Sequence, residues 1–199
     1  MKFLANKKLA SRIGIVMTGI TLVGMLLLWL IVSSNVAAIV KNDITNQMTD
    51  AVESRAALIN KYVASAEDYV SAFALGDEVR QLLRAPEDSR ALTRAQNYTQ
   101  DFAAIKGIFE GLYIATPDTH VLTHTSKDAV GITTRSGDSL KTFQDTILPK
   151  RSLTNLGIMK SPGTGSMILS MYMPIHEGQQ CVGYVGAGVY ASHLMDALL

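Results

Sequence analysis

Residues Ser161 to Tyr190 read SPGTGSMILSMYMPIHEGQQCVGYVGAGVY, and this stretch decides the fold. Two runs rich in apolar and aromatic side chains, Met167 to His176 and Cys181 to Ala191, are separated by a short polar stretch containing Glu177-Gly178-Gln179, which reads as two antiparallel strands around a tight turn. Side chains alternate across a strand, so each run has two faces. In the first run Met167, Leu169, Met171, Met173 and Ile175 form a core face, and Ile168, Ser170, Tyr172 and Pro174 form the other. In the second, Cys181, Val185, Ala187 and Val189 alternate with Val182, Tyr184, Gly186, Gly188 and Tyr190. A face with two glycines flanked by tyrosines lacks side-chain volume at its middle, so either a packed helix or a bound molecule can approach the backbone there.

Three more β-rich runs precede these. Leu112 to Thr116 and Val121 to Ser126 are joined by Pro117-Asp118-Thr119-His120, turn chemistry for a hairpin, and Asn155 to Lys160 is the third. Between the second and third runs lie a polar loop, Lys127 to Asp138, and a short helix, Ser139 to Ile147. Upstream, residues 41 to 75 contain no proline or glycine and read as one helix, which Gly76 ends. Asp77 is expected to cap a short helix, Glu78 to Ala85, that Pro86 stops; Asp88 or Ser89 caps another reaching about Ile105, with Leu92, Ala95, Phe102 and Ile105 facing inward. Helices followed by five strands, with one crossing helix between the second and third, predict an α+β domain with an antiparallel five-stranded sheet.

The amino end differs in kind. Between Arg12 and Lys41 there is no charged side chain, and Ile13 to Val32 is almost purely apolar. At about 1.5 Å per residue those ~20 residues span roughly 30 Å, the hydrocarbon thickness of a bilayer. Lys2, Lys7, Lys8 and Arg12 precede the span and the first carboxylate is Asp43, which favours a cytoplasmic amino terminus and an exported remainder. A cleaved secretory signal is the alternative, since Val36-Ala37-Ala38 loosely resembles a cleavage site, but a signal's apolar region is about 7 to 15 residues. In the long helix Val52, Ile59, Ala66 and Phe73 recur every seven residues, with Met48, Arg55, Tyr62 and Tyr69 beside them. Arg55 weakens the stripe as an autonomous coiled coil, so the expected use is a stalk that packs on its own domain above and on a twin helix below, a parallel homodimer.

The expected organisation is a basic amino terminus at 1–12, a transmembrane helix at 13–34, stalk and flanking helices at 35–106, the sheet at 107–192, and the start of a descending helix at 193–199. This makes a single-pass inner-membrane protein, as given, with its domain extracellular or periplasmic. The 199 residues suit one domain plus an appendage, and 18 basic against 17 acidic side chains give a net charge of +1, which offers no surface for nucleic acid. A single cysteine, Cys181, and four scattered histidines give no disulfide and no zinc spacing, and no cofactor is implied.

The order of anchor, long helix, short helices, hairpin, crossing helix and three-stranded meander resembles the Cache sensor domains of bacterial membrane receptors, which have a PAS-like fold. The residues carrying the likeness are GLYIATPDTHVLTHTS (Gly111 to Ser126), VGITTR (Val130 to Arg135) and the stretch quoted first. The resemblance is to the single-module form found in methyl-accepting chemotaxis receptors, sensor kinases and membrane diguanylate cyclases. It implies a small extracellular ligand and a conformational signal passed across the bilayer. The amino-acid-binding signature of some double Cache modules is not found, so an amino acid ligand is not implied. Such receptors generally continue into a second span and an output module; His193 to Leu199 (HLMDALL) looks like the first turns of the helix leading there.

If a pocket exists, Tyr113, His124, Arg135, Ser170, Tyr172 and Tyr184 are expected around it. Tyrosine supplies a flat apolar wall with one hydroxyl, and Arg135, in a Gly/Thr loop, can fork two donors onto a carboxylate. Each has a plainer reading as well: His124 as a hydrogen-bonded core residue, Arg135 as a solvated side chain, and the glycines as a helix seat. Enzyme signals are poor. Gly163-Thr164-Gly165-Ser166-Met167 lacks the order of a nucleophile elbow, and Gly183, Gly186 and Gly188 reverse the dinucleotide pattern within a strand. His120 and His124 on a strand stand about 13 Å apart, too far to share a metal. The leading expectation is a ligand-binding sensor; a structural or protein-docking domain with no small ligand is the alternative, and an exported hydrolase using Ser166 or His124 is a third. The receptor reading needs room beneath the paired glycines and their neighbouring phenols.

Overall fold

The structure is a computed structural model and describes residues 9–161 and 164–192, so Lys2, Lys7, Lys8 and the expected descending helix at 193–199 lie outside the described residues. Two compact units are formed, Met1–Ser54 and Arg55–Leu199. Helix α1 (Leu9–Ala74) contributes to both.

In the first unit α1 carries an 18-residue window of mean hydropathy 2.5 with none of it buried, and by length and composition it can cross a membrane. Its large apolar side chains have no protein cover: Leu22, Leu26 and Trp29 are each more than 60 % exposed. The few polar groups there turn back on the helix. Thr18 and Thr21 donate to the carbonyls of Gly14 and Met17 at 2.8 and 2.9 Å, so these two hydroxyls are satisfied within the helix. Further along, Ile44, Met48 and Val52 are also exposed.

The second unit holds the end of α1, α2 (Asp77–Arg84), α3 (Ser89–Lys106), β1 (Phe109–Ala115), β2 (Val121–His124), α4 (Gly137–Thr146), β3 (Thr154–Lys160), β4 (Met167–Glu177) and β5 (Gln180–Tyr190). The five strands form one antiparallel sheet in the order β2-β1-β5-β4-β3. Asp88 caps α3 as expected, its carboxylate accepting from the Arg90 amide at 2.9 Å, and Gly107 closes that helix in the left-handed conformation at φ 64°. Asp77 does not cap α2. It is the first helical residue, with Gly76 at the cap position, because Tyr98 lies so close over Gly76 that a Cβ there would stand 2.7 Å from the phenol oxygen.

One sheet face is packed by helices. Ala66, Val70 and Phe73 of α1, Val79 and Leu82 of α2 and Ala95 of α3 meet Leu112, Ile114, Leu169, Met171, Val185 and Val189, all buried. Burying each large apolar side chain contributes on the order of 1.5–3 kcal/mol. Phe73 stacks on Tyr98 at 4.9 Å, and the Tyr62 hydroxyl donates to the Tyr190 carbonyl at 3.1 Å, so the upper heptad positions of α1 are spent on its own domain. The strand faces follow the expected alternation with two departures: Met167, expected in the core, is 53 % exposed at the start of β4, and Cys181 and Val182 exchange faces. Cys181 packs on the Tyr184 side and Val182 on the helix side, because the β4–β5 register shifts between Ile175 and His176 and inverts the parity of the residues before Gly183.

The two edges differ. Alongside β2 the loop 131–134 pairs with the chain: the Val121 amide donates to the Ile132 carbonyl at 2.9 Å and the Gly131 amide to the Val121 carbonyl at 2.8 Å. The outer edge of β3 is open, with Leu156, Ile158 and Met159 at 45, 56 and 39 % exposure and a bulge between Asn155 and Ile158 where Gly157 takes φ +80°.

Candidate functional site

The face of the sheet away from the helices is built around Gly186. Its cross-strand partners are Tyr113 on β1 and Tyr172 on β4, and Tyr184 lies two residues along on the same face, so pairing register alone gathers three phenols. The ring of Tyr113 lies directly over Gly186, where a Cβ would come within 2.2 Å of the ring carbon Cζ. Gly188 is covered by Ile168 and the Glu110 carboxylate. The gap expected above the glycines is therefore occupied by the protein's own side chains, which is the reason strand glycines often stand opposite aromatic rings.

Phe143 of α4 closes the cluster, with ring centroids 4.9 Å from Tyr184 and 5.1 Å from Tyr172. Arg135 enters from the loop before α4: its guanidinium stands 4.6 Å from the Phe143 centroid and Nη2 donates to the Tyr172 hydroxyl at 3.0 Å, to which Ser170 also donates at 3.2 Å. A cation held on an aromatic face is attractive through the ring quadrupole. No carboxylate lies within ion-pair distance of Arg135 among the described residues.

The loop that aims Arg135 is fixed by Thr119. This buried, β-branched residue adopts φ 67°, a conformation rare for its type, and its hydroxyl both accepts from the Arg135 amide at 3.0 Å and donates to the Arg135 carbonyl at 3.4 Å. Gln144 of α4 donates to the Pro117 carbonyl at 3.0 Å and ties the helix to the same turn.

Burial raises the pKa of two of these phenols, Tyr113 and Tyr184. Tyr113 is pushed well above its ordinary value, first by desolvation and then by the Tyr172 and Tyr184 phenols, with Arg135 opposing. Tyr184 is pushed up to about 12, chiefly by desolvation, with Thr134, Arg135 and the Tyr113 hydroxyl opposing. Tyr113 and Tyr184 are thus held neutral beside the Arg135 guanidinium. Outside the cluster, Arg135, Asp138, Ser139, Thr142, Phe143, Thr146, Ile147 and Leu156 line a cleft of about 360 Å³ between α4 and β3.

Of the six residues expected here, Tyr113, Arg135, Ser170, Tyr172 and Tyr184 come together. His124 does not join them directly. It stacks on the far side of Tyr113 at 5.5 Å, its Nδ1 accepts from the Ser126 amide at 2.8 Å, and its backbone is clasped by Gln96, so burial lowers its pKa and the neutral imidazole carries its proton on Nε2. Phe143 and Thr119 were not expected. Phe143 was legible as the middle of the helical stripe Leu140, Phe143, Ile147, whereas nothing in the sequence marks Thr119 beyond its place in a turn. Among the described residues no cluster of three His, Cys, Asp or Glu side chains stands close enough to hold a metal ion.

An antiparallel sheet in this order, with helices on one face and a loop and short helix closing an aromatic cluster on the other, is the PAS-like fold of bacterial sensor domains. It aligns with the sensor domain of the Vibrio cholerae histidine kinase DctB at TM-score 0.64 and 10 % identity, over 77 % of this chain and 58 % of that one. The sensory domain of the Campylobacter jejuni chemoreceptor Tlp3, solved with isoleucine bound, aligns at TM-score 0.57 and 10 % identity, over 75 % of this chain and 60 % of that one. The chain spans about three-fifths of the length of these solved domains. No protein-family model matches the chain, and no curated protein matches it in sequence.

Proposed function

We propose that the protein is a membrane-anchored sensor whose PAS-like domain, exported by the positive charges that precede the span, takes up a small molecule at the Arg135 cleft. The observation that carries this reading is Arg135 itself: a half-buried guanidinium without a carboxylate partner among the described residues, lying between Phe143 and Tyr172 and facing the cleft. An acceptor group on a ligand competes with the Tyr172 hydroxyl for the guanidinium. Release of Tyr172 loosens the phenol cluster over Gly186, and β4 and β5, which carry that cluster, also form the floor against which α1 packs. Because α1 includes the candidate span, a shift in its packing is the signal. A ligand moves this equilibrium only if it binds the two packings unequally.

The full chain in detergent micelles is to be melted against organic acids, amines, nucleobases and sugars. A ligand at 100 times its dissociation constant stabilises by about 2.7 kcal/mol. At least one compound is expected to raise the melting temperature of the parent chain and not that of Arg135→Ala. The filled space over Gly186 favours a second reading, an anchored domain that docks another protein and has no small ligand; flat melting curves across the panel would support it.

A further inference from the structure

A second cleft, of about 510 Å³, lies on the other side of the domain, where the β4–β5 hairpin meets the end of α1 and the start of α2. This is within the range of ligand pockets, about 300–1,000 Å³. Its apolar floor is Met173, Pro174, Ile175 and Val182, and three arginines, Arg80, Arg84 and Arg151, stand around it against one carboxylate, Glu177. Arg84 pairs with Glu177, with Asp77 adding its field at Arg84, and Arg151 Nη2 donates to the Gly178 carbonyl at 2.8 Å and to Gln179 Oε1 at 2.7 Å. The Arg80 guanidinium has no partner among the described residues. Three cations against Glu177 leave a lining with a surplus of two positive charges over an apolar floor.

We infer that this cleft binds a small organic anion, a carboxylate or a phosphate monoester, with its charged head between Arg80 and Arg151 and its apolar part on Met173, Ile175 and Val182. Arginine presents planar forked donors suited to both head groups. Its walls come from α1, α2 and the hairpin together, so an occupant bridges elements that otherwise meet across the Arg84–Glu177 pair. This site shares no residue with the Arg135 cleft.

The test uses the full chain in micelles with ¹³C-methyl methionine, following the Met173 signal during titration with butyrate, butyl phosphate and butanol at constant ionic strength. The shared tail isolates the head group, and the two anions separate a carboxylate site from a phosphate site. One anion or both are expected to bind at least tenfold more tightly than butanol, to lose at least tenfold in an Arg80→Ala, Arg151→Ala double variant, and to be unaffected by Arg135→Ala. Arg80→Ala alone, at a side chain without internal partners, gives the same direction should the double variant fold poorly. Equal binding of butanol, silence of Met173 to both anions, or undiminished binding by the arginine variants overturns the proposal.

Discussion

At the scale of single residues, Gly186 and His124 carry the sharpest consequences. A methyl group at position 186 has no room, because the Tyr113 ring occupies its place. Gly186→Ala is expected to destabilise the domain by about 1–3 kcal/mol, the usual cost of overpacking, read by chemical denaturation. His124 sets a pH dependence. Its folded pKa lies below the ordinary 6.5, so the folded state binds protons less readily than the unfolded one, and the stability present above pH 6.5 falls as pH drops below it. Melting temperatures at pH 7.5 and 5.5 are expected to differ less in His124→Gln than in the parent chain; an equal difference would assign the effect elsewhere. Which residues would gather was legible for five of six, because strand parity and register fix which side chains share a face. That Tyr113 would fill the glycine gap was not, since a missing side chain looks the same in sequence whether a neighbour or a ligand takes its place.

At the scale of elements, strands and helices fall within a few residues of where periodicity and turn chemistry place them. Ile105, expected on the inner side of α3, is 78 % exposed in its last turn, and the other departures have local causes: a bulge inverts Cys181 and Val182, and Tyr98 makes Gly76 the cap of α2. Such effects depend on partners distant in the chain and leave no local signature. The Arg-lined cleft was invisible for the same reason, Arg80 and Arg84 being on α2 and Arg151 just before β3. The heptad stripe of α1 divides in use. Ile59, Tyr62, Ala66, Tyr69 and Phe73 pack on the domain, whereas Met48 and Val52 are exposed. A dimer through the stalk must therefore use the lower positions. With Cys181 replaced by serine, disulfide crosslinking of cysteines introduced one at a time is expected to be efficient at Val52 and Met48 and poor at Ile59; no crosslink at either exposed position would contradict the dimer.

At the scale of the whole molecule, a charge-free apolar segment and a PAS-like domain were both legible, the first from composition and the second from the order of elements. Ligand choice was not, because 10 % identity to the solved sensor domains carries the arrangement of strands and no more. The open edge of β3 has a practical outcome for anyone producing the second unit without residues 1–54. A row of unpaired amides and carbonyls beside Leu156, Ile158 and Met159 is a template on which two molecules can zip together, and Lys160 is the only charge along that strand to discourage it. Ile158→Lys is expected to keep a fragment of residues 55–192 monodisperse in size-exclusion chromatography at concentrations where the unmodified fragment forms ladders of sticky oligomers.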